Sequence, residues 1–120
     1  MAKKILRVGI ISRKEYWKRT IAIAKGEHVP KKGEPKIWFE SLQAMAQVLS
    51  NENQQLLRTI IDQRPKSIKE LESITGRKSS NLSRTLKTME RYGIVDLTKK
   101  KKNIIPKVNV TDFQVKFGIG

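Results

Sequence analysis

The sequence predicts an α+β fold that is mainly helical, with short strands on both sides of a helical centre. In that centre, residues 51–92, apolar side chains recur every three or four positions, which is the period of an amphipathic helix. Segments before residue 40 and after residue 93 instead alternate apolar and polar residues, as half-buried strands do. The 120 residues, 38% of them hydrophobic, are enough for one domain with a modest core and an added arm.

The first 36 residues predict a strand, a helix and a basic linker. Alternating apolar residues at 5–11 favour a short strand. Ser12 stands three residues before Glu15, which is the spacing of a capping box at the start of a helix. Residues 25–36 then carry two prolines and two glycines, so we expect a linker there. Residues 1–36 are therefore predicted to be an N-terminal strand–helix arm with its linker.

Four helices are expected after a short strand at 36–40, and the last three of them form the centre of the chain. Their predicted ranges are 41–49, 51–63, 67–75 and 79–92. Pro65 ends the second, Ser67 and Glu70 form a capping box for the third, Gly76 allows a tight turn, and Gly93 stops the fourth. The residues expected to be buried are Leu42, Met45, Leu49, Leu56, Leu57, Ile60, Ile61, Ile68, Leu71, Ile74, Leu82, Leu86 and Met89.

Two strands joined by a lysine-rich turn follow the last of these helices. Residues 94–98 and 104–110 predict the strands, and Pro106 places the second one at a sheet edge or a bulge. A last strand is expected at 113–117. The order of helix, short helix, glycine turn, helix and basic hairpin is the outline of a winged helix-turn-helix, which we assign to residues 37–120 as a DNA-binding domain.

The charge favours a polyanionic partner. The formal net charge is +15 and the isoelectric point is near 10.4. Residues 1–36 hold 11 Lys and Arg against 3 Asp and Glu, residues 37–76 hold 4 against 5, and residues 77–107 hold 10 against 2. Two basic blocks around a near-neutral centre favour nucleic acid first, an anionic membrane surface second and an acidic protein third. A solvated lysine surface without any partner is the plainer alternative.

The helix at 79–92 carries most of the residues that would contact DNA. Opposite its expected apolar stripe it places Ser80, Arg84, Lys87 and Arg91. Arginine can bind guanine by two hydrogen bonds, serine and asparagine suit phosphate or base, and lysine suits phosphate. The predicted DNA-binding residues are Arg77, Lys78, Ser79, Ser80, Asn81, Ser83, Arg84, Lys87, Lys99, Lys100, Lys101 and Lys102.

Each part of this interface has a structural alternative. The basic side of the helix can be the solvated face of an amphipathic helix, and Ser79 or Asn81 can be a cap. The four lysines at 99–102 can protect a hairpin edge, although beside a recognition helix we favour contacts with phosphate or the minor groove. We expect Tyr16 and Trp17 to pack rather than to stack on bases, with a second copy of the chain as one place for that packing. A homodimer would present two recognition helices about 34–36 Å apart to a palindrome.

The sequence gives no support for catalysis, and we expect no enzyme, cofactor or metal site. His28 is the only histidine and lies in the linker, where an exposed histidine without a chemical role is expected. Cysteine is absent, which excludes disulfides and thiolate chemistry. Arg7 interrupts the short apolar run near the start, so the stretch is a poor signal peptide, and no segment is long enough to span a bilayer. We therefore expect a cytoplasmic, nucleoid-associated protein.

Residues 67–102 resemble the winged helix-turn-helix core of MarR-like bacterial and archaeal regulators. The residues that match the recurring pattern are Glu70, Leu71, Thr75, Gly76, Asn81, Leu82, Ser83, Arg84, Leu86, Lys87, Glu90, Gly93 and Val95. The wider chain, with residues 8–41 ahead of the core and 113–117 behind it, is similar to a small group of predicted regulators that includes antitoxins of TumE-type toxin–antitoxin pairs. That resemblance implies a DNA-binding antitoxin that represses its own operon and neutralises a toxin protein, with the N-terminal arm as the candidate toxin-binding part.

Taken together, these patterns predict a sequence-specific DNA-binding transcriptional regulator, a homodimeric repressor and, by resemblance, an autoregulating antitoxin. Its partner would be double-stranded DNA, with a cognate toxin as a further partner and no membrane. Two alternatives stay open: a non-specific or architectural nucleic-acid-binding protein, and an interaction module whose basic arm binds an acidic protein.

Overall fold

A computed structural model describes residues 4–119, and the predicted α+β class is confirmed. This part of the chain contains five helices and five strands, of which the helices hold more residues. In chain order they are β1 (Ile5–Ile10), α1 (Arg13–Ala24), β2 (Ile37–Phe39), α2 (Leu42–Val48), α3 (Asn51–Gln63), α4 (Ile68–Thr75), α5 (Ser79–Arg91), β3 (Val95–Lys100), β4 (Asn103–Val108) and β5 (Asp112–Lys116).

The strands form two separate sheets. In the first, β1 lies between β2 and β5 and is parallel to both, with Val8 beside Ile37 on one side and Val115 on the other. In the second, β3 and β4 are antiparallel, with Val95 opposite Val108. The predicted boundary after residue 36 thus falls between two hydrogen-bonded strands, β1 and β2. The division into an arm and a DNA-binding domain stays a prediction.

Serine hydroxyls begin four of the five helices. Ser12, Ser41, Ser50 and Ser67 each accept a hydrogen bond from the backbone N–H three residues later. Such a bond satisfies one of the free N–H groups at a helix start and is worth about 1 kcal/mol. The capping serines predicted at Ser12 and Ser67 are confirmed, and α5 alone among these helices begins without a bond from its capping side chain.

The main core lies between the central helices and the hairpin. Its buried residues are Leu56, Leu57, Ile60, Leu71, Leu82, Leu86, Met89, Ile94 and Val95. Leu6 of β1 and Phe113 of β5 pack against this core, and the ring of Phe39 stacks on that of Tyr92 with centroids 4.3 Å apart. The three-stranded sheet is therefore joined to the helical part by apolar contacts along one of its faces.

Some residues expected in the core lie outside it. Leu42 and Ile74 are exposed, and Ile61 is only half-buried. Leu42 and Ile74 lie on the short helices α2 and α4. Ile61 follows the buried Ile60 in α3, where each step along the helix turns the side chain by about 100°. Within residues 4–119, no helix is long and apolar enough to cross a membrane, and the longest, α3 and α5, have 13 residues each.

Candidate nucleic-acid interface

Helix α5 separates an apolar side from a basic side. Leu82, Leu86 and Met89 are fully buried, as predicted. At about 100° per residue, the opposite side carries Ser80 and Arg84, with Lys87 and Arg91 further along, and all four are exposed. Packing of the apolar stripe thus fixes the direction in which the basic side chains point.

The exposed side of α5 is free to bind another molecule. Within the described residues 4–119, the side chains of Ser80, Arg84 and Lys87 make no hydrogen bond or ion pair. Of the other predicted contact residues, Lys78 and Asn81 are exposed while Arg77, Ser79 and Ser83 are half-buried. Unpaired cations on a rigid helix can engage phosphate or base edges without first breaking a contact within the protein.

Arg77 is engaged inside the protein. Its Nε and Nη2 donate to Asn81 Oδ1 at 3.0 and 2.7 Å, and Nη2 also donates to Thr85 Oγ1 at 3.2 Å. Its Nη1 donates to Asn53 Oδ1 of α3 at 3.2 Å. One guanidinium therefore joins two residues of α5 to one residue of α3. Arg77 is one of the predicted DNA-binding residues, and only the fold brings Asn53 within reach of it.

Asn53 extends this connection to α2. Its side-chain amide donates to the backbone carbonyls of Gln47 and Val48, at 3.3 and 3.0 Å. Those carbonyls belong to the end of α2, where the helix leaves its last C=O groups unpaired. Because Asn53 also accepts from Arg77, the ends of three helices are held together by polar bonds near the start of α5.

Glu72 of α4 binds the N-terminus of α5. Its Oε2 accepts from the backbone N–H of Ser79 at 2.6 Å and from the Ser79 hydroxyl at 2.9 Å. These hydrogen bonds to the ionised carboxylate, the hydroxyl bond first, hold the pKa of Glu72 below its usual value. A carboxylate at this end also suits the positive end of the helix dipole, so Glu72 replaces the missing cap of α5.

The four lysines at 99–102 stand at the end of the hairpin. Lys99 and Lys100 close strand β3, and Lys101 and Lys102 form the turn into β4. All four are exposed, and Lys101 adopts a left-handed backbone with φ of 56°. The hairpin predicted around this turn is confirmed. That its lysines and the basic side of α5 meet one duplex stays a prediction.

A polar cluster joins α1, the linker and β2, and the sequence carried no clear signal for it. Arg19 Nη2 donates to Glu34 Oε2 at 2.8 Å, and the Arg19 guanidinium lies 4.9 Å from the centroid of the Trp38 ring. This hydrogen bond is the main cause that lowers the pKa of Glu34. His28 is half-buried rather than exposed as expected, and its Nε2 lies 3.5 Å from the same carboxylate. In residues 4–119, no cluster of three His, Cys, Asp or Glu side chains can hold a metal ion.

The chain matches one protein family over more than half of its length. Residues 48–115 match the protein family described as HVO_A0114, and this range is more than half of the chain. The protein therefore belongs to the HVO_A0114 family. The match includes α3, α4, α5 and the hairpin, which are the elements that form the candidate interface. The chain matches no curated protein and no solved structure.

Proposed function

We propose that the protein is a sequence-specific DNA-binding transcriptional regulator with a MarR-like winged helix-turn-helix, acting as a repressor. The observation that carries this proposal is the exposed, unpaired basic side of α5, opposite the fully buried Leu82, Leu86 and Met89. Helices α4 and α5 correspond to the helix pair of the motif, joined by a turn at Gly76 with φ of 77°. The β3–β4 hairpin corresponds to the wing.

In this mechanism α5 enters the major groove with its N-terminal half against the base edges. Arg84 offers two parallel donors to guanine, while Ser80 binds a base edge or a phosphate. Lys87 and the lysines at 99–102 bind phosphate, which adds affinity and salt sensitivity but little sequence information. Bound as a homodimer, the protein would cover two half-sites of a palindrome, and its presence over a promoter would exclude RNA polymerase.

The first test is a binding titration on a site found by footprinting the region upstream of the protein's own gene. Arg84→Ala should lower specific affinity by about 1–3 kcal/mol and relax the base preference at one position. Lys100→Ala should weaken binding to all sequences alike and reduce the salt slope by about 1. Arg58→Ala is the matched control, because Arg58 is an exposed arginine of α3 outside the predicted interface.

The proposal fails if Arg84→Ala leaves base preference unchanged while Arg58→Ala has the same effect on affinity. Binding that depends on duplex length and shows no preferred site would instead support a non-specific or architectural role. A palindromic footprint with two protected half-sites would support the homodimer.

A second candidate function is the binding of an acidic protein through the N-terminal part, as a toxin-neutralising partner would need. The observation that favours it is Trp17, which is 63% exposed and is flanked on α1 by Lys14 and Lys18. An exposed apolar ring with cations on the same helix suits an acidic protein surface. A neighbouring gene product that co-purifies after nuclease treatment at high salt, and is lost from Trp17→Ala, would support this function. Co-purification that nuclease abolishes would contradict it.

A further inference from the structure

We propose that Arg77 acts as a positioning residue that makes the Asn81 side chain a pure hydrogen-bond donor, so that Asn81 selects guanine rather than adenine in the target site. This inference deepens the proposed function and rests on it. It assigns to Arg77 a role within the protein, whereas the sequence predicts a direct contact between Arg77 and DNA.

The chemistry of the two side chains fixes the orientation of the Asn81 amide. Arginine carries only donors, so the Asn81 atom that faces the Arg77 guanidinium must be the acceptor Oδ1. That oxygen accepts from both Nε and Nη2 of Arg77, at 3.0 and 2.7 Å. The Asn81 –NH2 group therefore points away from Arg77, and in residues 4–119 it makes no hydrogen bond.

The Arg77 guanidinium cannot easily turn away, because its other donors are held as well. Nη1 binds Asn53 Oδ1 on α3 and Nη2 also binds Thr85 Oγ1, both at 3.2 Å. Asn53 is itself fixed by its two bonds to carbonyls of α2. A planar fork with partners on two helices holds the Asn81 amide in one of its two flipped states.

A donor-only amide reads the major groove differently from a free asparagine. A free asparagine binds adenine with both atoms, donating to N7 and accepting from the N6 amino group. With Oδ1 occupied, Asn81 can only donate. Guanine presents two neighbouring acceptors, N7 and O6, to such a group, whereas adenine presents N7 beside a competing donor. Asn81 is exposed in the first turn of α5, the part of the helix that reaches base edges in this motif.

The test compares variants by selection from a randomised duplex library, followed by titration of the enriched sites. The wild type should prefer guanine about tenfold at one position, and Asn81→Ala should lose the preference at that position alone. Arg77→Met keeps the aliphatic stem, and Arg77→Lys keeps the charge without the fork. Arg77→Met should admit adenine at this same position, because the freed Oδ1 can then accept from the adenine amino group. Arg77→Lys can give Oδ1 one hydrogen bond instead of two, so it should admit adenine to a smaller extent.

Thr85→Val and Thr88→Val form a matched pair of controls. Thr85 accepts from Arg77, whereas Thr88 Oγ1 donates to the Arg84 carbonyl within α5. Thr85→Val should weaken the guanine preference by a smaller factor than Arg77→Met, and Thr88→Val should leave it unchanged. Circular dichroism shows whether Arg77→Met is folded; if it is not, the Thr85→Val and Arg77→Lys proteins decide the question.

Three outcomes would overturn the inference. The first is a wild-type preference for adenine at the position that depends on Asn81. The second is an Asn81→Ala protein that binds all duplexes equally less well, as loss of a phosphate contact would cause. The third is a change of preference in Arg77→Met at a different position from Asn81→Ala. If no sequence is enriched by the wild type, the proposed function itself fails, and the inference fails with it.

Discussion

Helices α1 and α5 are similar in length and both carry an apolar stripe and several cations, yet they pack in opposite ways. In α5 the stripe of Leu82, Leu86 and Met89 is fully buried. In α1 no residue is fully buried, and Trp17 and Ile21 are exposed at 63% and 37%. An amphipathic pattern therefore locates the buried face of a helix only where neighbouring elements provide an apolar surface to receive it.

Helix α1 instead attaches through its other side. Arg19, Ala22 and Ile23, which project opposite Trp17, are its half-buried residues. Its specific contacts are polar: Arg19 with Glu34 and with the ring of Trp38, and Arg13 with Glu40 at 3.2 Å. The Arg13–Glu40 pair is exposed and contributes little, and α1 has no fully buried residue, so α1 should open locally at lower free energy than α5.

The largest expected effect is a difference in unfolding free energy between one substitution in α5 and one in α1. Leu86→Ala should lower the free energy of unfolding by about 2–5 kcal/mol, because it leaves a cavity in the main core. Trp17→Ala should change it by less than about 0.5 kcal/mol, although it removes a larger side chain, since most of the ring is already in water. Urea unfolding of both variants gives the comparison. Equal losses would show that Trp17 is covered in solution, as the homodimer contact expected from the sequence requires.

A second prediction concerns the three-stranded sheet, in which α1 links β1 to β2. Gly9 of β1 lies against the Trp38 ring, and a Cβ there would come within 2.3 Å of a ring carbon, well inside van der Waals contact. Gly9→Ala should therefore cost about 1–3 kcal/mol and displace the ring from Arg19. Gly118→Ala is the control, because a Cβ at Gly118 would meet no heavy atom within 4 Å. Urea unfolding with tryptophan fluorescence measures both effects, and an unchanged Gly9→Ala protein would contradict the close packing of Trp38.

Much of the local structure was predictable from the sequence. Capping serines, Pro65 and the glycine turns mark helix ends by chemistry that acts within a few residues. The buried stripe of α5 was predictable because Leu82, Leu86 and Met89 are four and three residues apart, which places them on one side of a helix. The strands at both ends of the chain were also predicted, but their pairing was not. Alternation shows that a segment is a strand and carries no information on which strand lies beside it.

In the candidate site, too, the local features were predictable from the sequence and the contacts between distant segments were not. The exposed side of α5 follows from helical periodicity and was predicted residue by residue. The bonds from Arg77 to Asn53, and from Glu72 to Ser79, join residues that are 24 and 7 positions apart. They depend on how α3 and α4 cross α5. Sequence spacing therefore assigned Arg77 and Ser79 to the DNA surface, since it cannot show that a neighbouring helix supplies partners for them.

A third prediction compares two serine caps, Ser67 of α4 beside the main core and Ser12 of α1. Ser67→Ala removes the cap of α4, which packs on the main core through Leu71, and should cost about 1 kcal/mol of unfolding free energy. Ser12→Ala removes the equivalent cap of α1, and its cost to global unfolding should be smaller, because α1 opens before the core unfolds. Urea unfolding gives the global cost, and amide hydrogen exchange gives the local one. If Ser12→Ala leaves exchange in α1 unchanged, its cap contributes nothing there.

The smallest predicted effect is a dependence on pH at the start of α5. The pKa of Glu72 is lowered by its bonds from Ser79, so the folded state favours the ionised carboxylate. The stabilisation is present above the pKa of about 4.5 that the group has when unfolded, and it is lost as the pH falls through the lower folded pKa. Glu72→Gln should be less stable than the wild type at pH 7, and the difference should vanish as the carboxylate is protonated. Urea unfolding of both proteins between pH 7 and pH 3 measures it. In a Ser79→Ala background the difference should shrink, because one of the two bonds is gone, and an undiminished difference would mean that Glu72 acts through the helix dipole alone.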